Sequence, residues 1–512
     1  MPKSYIFQAV ALIVTVSGPL ACHPKKSQNS NSSSATNSLL QQDLEPSHQR
    51  TTWEGWGTSL SWWGKALGTT PYESTYADLI FTEKSTPIHN KNLPGLGFNI
   101  VRYNVGGGGQ DGDVSEIKEQ RPKDFPWYKD IDGYWVNWNS KDPNSSSYNW
   151  ERDPEQRSML QAAVSRGVTQ VEFFANAPMW WMMDSKSSAG GKLQKWNRRD
   201  FALYLANVIA QAKSRWNVNV TSIEPFNEPE SGFWDYPKLQ EGCNISQGEQ
   251  KEILGLLREE LDKQNLDPKI TASDENSMDQ GLRTYQDFQK SKIKVNGTQR
   301  RVSDLVEKVN VHSYKGLEAW RNNNTRHDFK KAVGDKRLWI SEFGDSEGGG
   351  AELAQTLMED INHLQPQAWV YWQVIEPSSA WGLMNANYGQ GVDDKNRGET
   401  SWIYGKYYVM AHFSRYIKAG MKIIEQNDPW SIVAYDEGRR ILNIVTVNRD
   451  GGNRRLDWNL EAFGVQNQQQ VELVTTALNA TRLWETSSIQ LAGKRLQLET
   501  ANESITSISI KL

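Results

Sequence analysis

Two glutamates stand in sequence contexts that suit acid–base and nucleophilic chemistry. Glu228 lies in the run Asn-Glu-Pro and Glu342 lies in the run Glu-Phe-Gly, and each run follows a short apolar segment. Glycosidic bonds are cleaved by one carboxyl group that protonates the leaving oxygen and a second that attacks or stabilises the anomeric carbon. An acid at a strand end can also cap the next helix. Two such acids in these contexts favour the catalytic interpretation.

Tryptophan is the outlier of the composition, with 22 residues. Large flat rings suit a ligand with apolar C–H faces and a polar rim, which describes a sugar. Several tryptophans lie at or just after predicted strand ends, where they are candidates for stacking walls, although some must fill the core instead. The candidates are Trp62, Trp180, Trp181, Trp234 and Trp372.

Eight short apolar runs alternate with longer stretches of helical periodicity, such as Arg199–Trp216, Glu249–Leu261 and Ala351–Leu364. Eight strands separated by helices predict an α/β fold, a (β/α)₈ barrel with its active site at the C-terminal strand ends. Strands four and seven end with the two glutamates. The predicted strands are Ser59–Trp62, Asn99–Val105, Gln170–Ala177, Ser222–Glu228, Lys269–Glu275, Lys308–Tyr314, Arg337–Gly344 and Ala368–Val374.

A doubly wound open sheet is the competing topology for this alternation. It requires a glycine-rich phosphate loop between an early strand and a helix. Gly106–Gly109 follows a strand, but Gln-Asp-Gly-Asp comes next and no helix begins there. We therefore interpret the glycine run as a turn that lets the backbone pass close to a ligand.

The pattern changes after Ala411 to short alternating segments separated by Gly, Asn and Asp, such as Ser504–Leu512. Alternation of this kind is typical of antiparallel strands. We predict a catalytic barrel over residues 49–411 and a C-terminal side β-sandwich over residues 412–512. Residues 43–55, just before the first barrel strand, are a candidate addition to the sandwich.

Residues 1–22 have the features of an export signal, because a lysine precedes an apolar stretch from Ile6 to Val16 and a small residue then precedes Cys22. Two interpretations stay open: a lipoprotein signal with a lipid anchor on Cys22, and a plain secretory signal. Residues 23–48 are rich in Ser, Asn and Gln and predict a disordered tether. We expect a protein that is secreted or anchored to the cell envelope.

The overall composition excludes several classes of partner. A net charge of −4 with 23% charged residues gives no basic surface for nucleic acid or an anionic membrane. The chain has seven histidines, and no pair of them has metal-ligand spacing, so neither a metal nor a cofactor is expected. The expected partner is a polysaccharide substrate, bound by a monomer.

Longer stretches resemble glycoside hydrolase family 30, and within it the endo-β-1,6-galactanases. The resemblance covers the chain from Thr52 to its C-terminal end and implies a barrel with a side β-domain. It also implies a retaining endo-hydrolase acting on β-1,6-linked galactan, as in arabinogalactan side chains. The stretches that carry it are GWGTSLSWW at residues 55–63, VRYNVGG at 101–107, NAPMWWM at 176–182, QEGC at 240–243 and WVYWQ at 369–373.

By position, the resemblance makes Glu228 the general acid/base and Glu342 the nucleophile. The acid must be protonated at working pH, which requires a raised pKa, whereas the nucleophile must stay ionised. We expect Arg102 and Tyr314 to hold Glu342 in its ionised form. A retaining mechanism requires the two carboxyl groups to lie only about 5–5.5 Å apart.

Other strand-end residues are candidates for contacts with sugar hydroxyls. We expect Asn227, next to the acid, to hydrogen-bond the 2-hydroxyl, a contact that strengthens in the transition state. Asn176 and His312 are candidates for other hydroxyls, although a lone histidine is as readily a structural residue.

Alternative functions share most of these residues. Related family members cleave β-1,6-glucan or glucuronoxylan, and galactose differs from glucose in the orientation of one hydroxyl. A reader of glucuronic acid should carry an arginine or lysine clamp outside the central pocket, and the sequence shows no clear one. A non-catalytic carbohydrate-binding protein on the same scaffold would typically have lost one of the two carboxylates, and both are present.

Overall fold

The structure is a computed structural model, and it describes residues 39–110, 112–114, 116–314, 323–479 and 482–512. The predicted signal peptide, the candidate lipidation site Cys22 and the first part of the predicted tether lie outside the described residues. None of the helices in the described part of the chain combines the length and apolar character needed to cross a bilayer.

Eight parallel strands form a closed barrel in which neighbours along the chain are also neighbours in the sheet. The last strand pairs with the first to close the circle. The (β/α)₈ prediction is confirmed. The strands are β1 (Gly55–Ser59), β2 (Ile100–Asn104), β3 (Gln170–Phe174), β4 (Ser222–Glu224), β5 (Lys269–Glu275), β6 (Lys308–His312), β7 (Arg337–Glu342) and β8 (Ala368–Tyr371).

The first barrel strand is Gly55–Ser59, and the prediction of Ser59–Trp62 is wrong. The glycines gave no apolar signal, but the barrel needs them. A Cβ on Gly57 would lie 2.6 Å from Ile100 of β2, and Gly55 has a φ of +142°, which only glycine adopts readily. The apolar residues after this strand lead into the first helix.

Helices between the strands cover the outside of the barrel. The fifth begins at a capping box, in which Glu249 accepts hydrogen bonds from the backbone and side chain of Ser246. The described α-helices are α1 (Trp63–Leu67), α2 (Glu73–Phe81), α3 (Pro154–Ser165), α4 (Arg198–Arg215), α5 (Gln247–Lys263), α6 (Met278–Lys290), α7 (Val302–Leu305), α8 (Asn323–Val333), α9 (Ala351–Glu359), which continues into a π turn (Asp360–Leu364), and α10 (Gly405–Tyr416).

Short strands and 3₁₀ turns lie in the loops between these elements. One pair joins Ala189–Lys192 to Gly242–Asn244 and ties the loop after β3 to the loop after β4. Both loops leave the C-terminal ends of their strands. The other short elements are the strands Thr86–Ile88, Lys91–Leu93, Lys292–Val295, Thr298–Arg301, Ile375–Glu376, Met384–Ala386 and Thr400–Ile403 and the 3₁₀ turns Trp127–Lys129, Trp180–Met182, Lys195–Asn197 and Glu461–Phe463.

The predicted β-sandwich is confirmed as two sheets that share an apolar core, which includes Ile444, Leu456, Trp458 and Ile508. The three-stranded sheet has the order Leu39–Asp43, Arg454–Asn459, Arg495–Thr500. The seven-stranded antiparallel sheet has the order Gln49–Thr52, Lys422–Ile424, Ser431–Asp436, Ile441–Asn448, Ser504–Lys511, Gln470–Ala477, Glu485–Gln490.

The chain enters the β-domain before it enters the barrel. Gln49–Thr52 pairs with Lys422–Ile424, so the candidate segment 43–55 contributes a strand. The prediction of a disordered tether is wrong for its last residues, because Leu39–Asp43 pairs in parallel with Arg454–Asn459. Buried Leu44 and partly buried Leu40 anchor this segment in the sandwich core.

The predicted boundary between residues 411 and 412 falls inside α10 and is therefore wrong as a domain limit. This helix belongs to both domains. Its His412 side chain is fully buried and lies within hydrogen-bond distance of the hydroxyls of Ser507, at 2.8 Å, and Thr476, at 2.9 Å, in the seven-stranded sheet.

The barrel interior beneath the strand ends is polar. Arg102, Glu172 and Lys308 face inward from three strands and are fully buried. The Arg102 Nε donates to Glu172 at 2.9 Å, and the Lys308 ammonium lies 2.5 Å from the second oxygen of the same carboxylate. Branched apolar side chains usually fill such barrels. Here the apolar side chains form a separate small layer of Ile100, Trp339, Ala368 and Val370.

Candidate active site

A cleft of about 820 Å³ opens at the C-terminal ends of the barrel strands. Aromatic, amide and carboxylate side chains line it, in keeping with a site for a polyhydroxylated ligand. Seven of the residues predicted from the sequence lie in its wall: Trp62, Asn176, Asn227, Glu228, Tyr314, Glu342 and Trp372.

Glu228 follows β4 on a turn with a positive φ of 48°. Its backbone N–H donates to the carbonyl of Asp274 at 2.8 Å, and its own carbonyl accepts from the Trp234 indole at 3.0 Å. These bonds hold a conformation that non-glycine residues rarely adopt. The Asn276 amide donates to the Glu228 Oε1 at 2.6 Å. The backbone and the carboxyl group are therefore both fixed by residues at the end of β5.

Glu342 ends β7 with its side chain almost completely buried. The Tyr314 hydroxyl donates to its Oε1 at 2.8 Å. The Arg102 Nη1 lies 3.5 Å from its Oε2. The predicted contacts of Arg102 and Tyr314 with Glu342 are thus present. Arg102 itself is fully buried beneath the cleft, so its assignment as a substrate-binding residue is wrong.

His312 lies between the two glutamates. Its Nδ1 is 3.2 Å from the Glu228 Oε1 and 3.6 Å from the Glu342 Oε1. One ligand-type atom from each of the three residues lies within 4.8 Å of the others. The imidazole is fully buried and does not reach the cleft, so the expectation that it binds a sugar hydroxyl is wrong.

The surrounding charges favour a protonated His312. Burial lowers the pKa of this imidazole, but the three carboxylates around it outweigh burial and raise the pKa to about 10. A metal ligand must be neutral imidazole, so a metal ion would have to displace this proton. The group is better suited to donate hydrogen bonds to the glutamates.

Glu342 differs from the expectation of a nucleophile that stays ionised at working pH. Burial raises the pKa of Glu342 to about 7; His312 opposes the shift, and the Glu228 carboxylate adds to it. The charge on Glu342 therefore depends on the charges of the residues around it.

The cleft residues contact one another in a defined way. Trp62 and Trp372 form an edge-to-face pair with ring centroids 5.3 Å apart. The Lys129 ammonium lies 3.7 Å from the centroid of the Trp62 ring and so occupies one face of it. The Asn227 side-chain oxygen is buried without a hydrogen-bond partner among the described residues. It is free to accept a hydrogen bond from a ligand.

Three tryptophans predicted to line the cleft do not reach it, and these predictions are wrong. Trp180 packs against Gly109, and Trp181 donates to the carbonyl of Trp135 at 2.9 Å. Trp234 packs against Gly242 and donates to the Glu228 carbonyl. All three are buried within loops after strands, where their volume fixes the shape of the rim.

The glycine run also has a structural role. Gly107 donates its N–H to the Glu241 carboxylate at 3.0 Å, and a Cβ there would lie 2.2 Å from the Pro178 carbonyl oxygen. The run Gly106–Gly109 is buried and is not part of the cleft wall. It allows close approach of protein backbone, and the expected approach to a ligand is wrong.

Sequence reasoning missed several residues of the site. Asp274 and Asn276, from the polar run Ser-Asp-Glu-Asn at the end of β5, contact the surroundings of both glutamates. A polar run at a predicted strand end was the available signal. The cleft wall also contains residues from the loops after β2, β4, β7 and β8 that carried no motif: Tyr128, Lys129, Phe233, Asp345, Glu347, Glu376 and Trp381.

Comparison with known proteins agrees with this geometry. The sequence profile of O-glycosyl hydrolase family 30 matches residues 40–344, more than half of the chain. The chain belongs to this family. It is a glycoside hydrolase, and the resemblance drawn from the sequence motifs is confirmed.

Three proteins illustrate the relationship. An endo-beta-1,6-galactanase of Hypocrea rufa is 37% identical over 409 residues, which span 79% of this chain and 80% of the relative. An exo-beta-1,6-galactobiohydrolase of Bifidobacterium longum subsp. longum is 24% identical over 500 residues, 73% of this chain and 32% of that protein. The catalytic domain of GH30 xylanase C from Talaromyces cellulolyticus has a TM-score of 0.66 at 15% identity, over 93% of this chain and 100% of that one, which supports the fold alone.

Proposed function

We propose that this protein is a retaining endo-hydrolase of β-1,6-linked galactan, such as the side chains of arabinogalactan. The observation that carries the proposal is the short distance between the two glutamates, whose carboxylate oxygens lie within 4.8 Å of each other. Retaining glycosidases hold these groups about 5–5.5 Å apart, whereas inverting enzymes leave room for a water molecule at about 6.5–9.5 Å. The names of both curated relatives refer to β-1,6-galactosidic substrates.

The mechanism follows from the two environments. Glu228 protonates the glycosidic oxygen as the Glu342 carboxylate attacks the anomeric carbon, so the leaving sugar departs with the proton and a glycosyl ester forms on Glu342. Glu228, now ionised, takes a proton from water as the water oxygen attacks the same carbon. The ester bond breaks, and Glu228 is protonated again. Each of the two steps inverts the configuration of the anomeric carbon, so the product retains the configuration of the substrate.

The electrostatics of the cleft support a neutral glycan over a uronic-acid chain. Its wall contains six carboxylates, and Lys129 is the single cationic side chain among the described lining residues. That ammonium is held over the ring of Trp62, which also lines the cleft. A glucuronosyl branch would be repelled by the surrounding negative charge. This argues against glucuronoxylan; it does not separate galactan from β-1,6-glucan.

A substrate panel tests the proposal. Wild-type protein is incubated with debranched arabinogalactan, β-1,6-galacto-oligosaccharides, β-1,6-glucan and glucuronoxylan, and product lengths and the first-formed anomer are measured by chromatography and NMR. We expect internal cleavage of galactan with the β-anomer released first. Activity on xylan alone, or on glucan alone, would refute the substrate assignment, and an α-anomer would refute retention. Glu342→Gln should abolish hydrolysis; unchanged hydrolysis would place the chemistry elsewhere, and binding without any hydrolysis by the wild-type protein would indicate a binding protein.

We further propose that the N-terminal signal exports the protein. Its support is the apolar stretch followed by a small residue and Cys22. Labelling with a radioactive fatty acid in a bacterial host, compared with Cys22→Ser, separates a lipid anchor from a plain secretory signal. Label on the wild-type protein alone would indicate lipidation. Retention of the unprocessed chain in the cytoplasm would refute export.

A further inference from the structure

Two β-bulges lie beside the candidate active site. In the pairing of β5 with β6, Ser273 is opposite Asn310 and Glu275 is opposite Val311, so Asp274 is skipped. A second register shift lies between β6 and β7, where Val311 pairs with Ile340 and His312 with Glu342, so Ser341 is skipped. Such an extra residue bends its strand and directs a side chain out of the regular alternation.

The two skipped residues contact each other. The Ser341 hydroxyl donates to the Asp274 Oδ1 at 2.5 Å, inside the barrel. Both side chains are buried, and Ser341 immediately precedes Glu342. The bulge in β5 is thereby joined to the bulge in β7 across the intervening strand β6. Any displacement of one bulge must be transmitted to the other.

The carboxylate of Asp274 also binds both cationic partners of Glu342. Its Oδ2 forms an ion pair with the Arg102 Nη2 and lies 3.6 Å from the His312 Nε2. The carbonyl of the same residue accepts the Glu228 N–H at 2.8 Å. One residue outside the cleft wall thus contacts the backbone of Glu228 and the two cationic groups that lie near Glu342.

We propose that Asp274 is a positioning residue for the two-glutamate reaction: from its bulge it holds Arg102 against Glu342, holds His312 between the two glutamates, and fixes the turn that carries Glu228. The inference rests on the proposed function. It assigns no contact with substrate to Asp274, because the side chain is fully buried.

Charge supports the geometry. Burial opposes ionisation of Asp274, yet Arg102 and His312 lower its pKa to about 2, so the carboxylate is permanently charged at working pH. Glu342 is faced by His312 and Arg102, which favour its ionised form, and by Glu228 and Asp274, which disfavour it. The Tyr314 hydroxyl completes this environment. Removal of the Asp274 charge should therefore lower the pKa of Glu342.

The test compares Asp274→Asn with Glu172→Gln. Both changes remove a buried carboxylate that pairs with Arg102, but only Asp274 reaches His312 and Ser341. On a β-1,6-galacto-oligosaccharide we expect D274N to lower kcat about a hundredfold, with KM changed less than about threefold, because reacting groups misplaced by a fraction of an ångström lose rate more than affinity. The limb of its kcat/KM profile that follows the ionisation of Glu342 should move about one pH unit lower.

E172Q should lower the melting temperature and leave that limb in the wild-type position. An equal shift in both variants would overturn the proposal, as would D274N with wild-type kcat and profile. Ser341→Ala covers the case in which D274N does not fold: it keeps the charge, removes one hydrogen bond, and should lower kcat about tenfold. S341A with wild-type kcat would also overturn the proposal. Active E342Q would instead refute the proposed function, so the two failures are distinguishable.

Discussion

The barrel interior and the β-sandwich core are equally buried and chemically opposite. The barrel encloses Arg102, Glu172 and Lys308 in a network of ion pairs, whereas the sandwich core is built from side chains such as Trp458 and Ile508. Apolar burial stabilises a fold roughly in proportion to area, by about 25 cal/mol per Å². Buried ion pairs often contribute nothing net against their desolvation. The sandwich core is therefore built for stability, and the barrel interior is built to fix charge and position.

Two buried histidines show the same contrast. His312 in the barrel and His412 in α10 are both fully buried. Carboxylates around His312 overcome burial and raise its pKa to about 10, whereas burial alone lowers the pKa of His412 to about 3. The neutral His412 faces hydroxyl groups of the sandwich and the ring of Trp484. Identical burial of the same residue type thus gives opposite charge states, because the neighbours differ.

The largest expected effect comes from breaking the barrel network. Lys308→Met leaves the Glu172 carboxylate without its ammonium partner and should lower the free energy of unfolding by about 3–5 kcal/mol. Lys494→Met, which removes an exposed ion pair with Glu461 in the β-domain, is the matched control and should change it by less than about 1 kcal/mol. Urea unfolding measures both. Similar losses in the two variants would contradict the distinction between the regions.

A truncation in the sandwich core should be nearly as destabilising and catalytically silent. Ile508→Ala removes a fully buried side chain packed between the two sheets. We expect a loss of about 2–4 kcal/mol in the free energy of unfolding, with kcat unchanged at temperatures where the variant is folded. A fall in kcat of the folded variant would show that the sandwich shapes the cleft as well as stabilising the chain.

A hydrogen bond to the candidate nucleophile should affect rate more than stability. Tyr314→Phe removes the donor 2.8 Å from the Glu342 Oε1. Hydrogen bonds to charged groups contribute about 1.5–3 kcal/mol, so kcat should fall about tenfold to a hundredfold. Steady-state kinetics on a galacto-oligosaccharide measure the change. An unchanged kcat would mean that the phenol does not act on the carboxylate during the reaction.

The smallest expected effect is the change of kcat/KM with pH. Burial raises the pKa of Glu342 to about 7. The carboxyl group must be ionised to attack, so kcat/KM should fall about tenfold per pH unit as the pH drops below that value. The same raised pKa contributes stability that is complete below the unfolded pKa of about 4.3 and is lost as pH rises through 7. A flat kcat/KM profile from pH 4 to 7 would contradict this.

The parts of the site that follow from local signals were predictable. Apolar runs located the barrel strands after the first, and two short motifs located Glu228 and Glu342. In a regular strand, residues an odd number of positions apart point to opposite faces. Trp339 packs in the inner layer, so regular alternation would point Glu342, three residues later, out of the barrel. The register shift that skips Ser341 turns the Glu342 side chain back toward the inside. A register shift depends on the partner strand, so one strand's sequence does not reveal it.

The errors on tryptophans and termini have a similar cause. Trp180 and Trp181 sit in a motif that suggests a cleft, but loop packing turns their rings into the protein. Residues 39–48 adjoin a run rich in Ser, Asn and Gln and are predicted with it as a disordered tether, yet the edge of an existing sheet supplies backbone partners and the sandwich core accepts Leu44. In both cases contacts with distant parts of the chain determine the structure, and local composition does not reveal those contacts.

The strand Leu39–Asp43 has a mechanical consequence. Five consecutive residues, from Leu39 opposite Arg455 to Asp43 opposite Asn459, tie the incoming chain to the small sheet of the β-domain. Tension arriving along the chain from the N-terminal side is taken up by this sheet and then by the pairing of Gln49–Thr52. The first barrel strand begins only at Gly55. Tension applied to the chain before Leu39 would therefore strain the sandwich and leave the spacing of the two glutamates undisturbed.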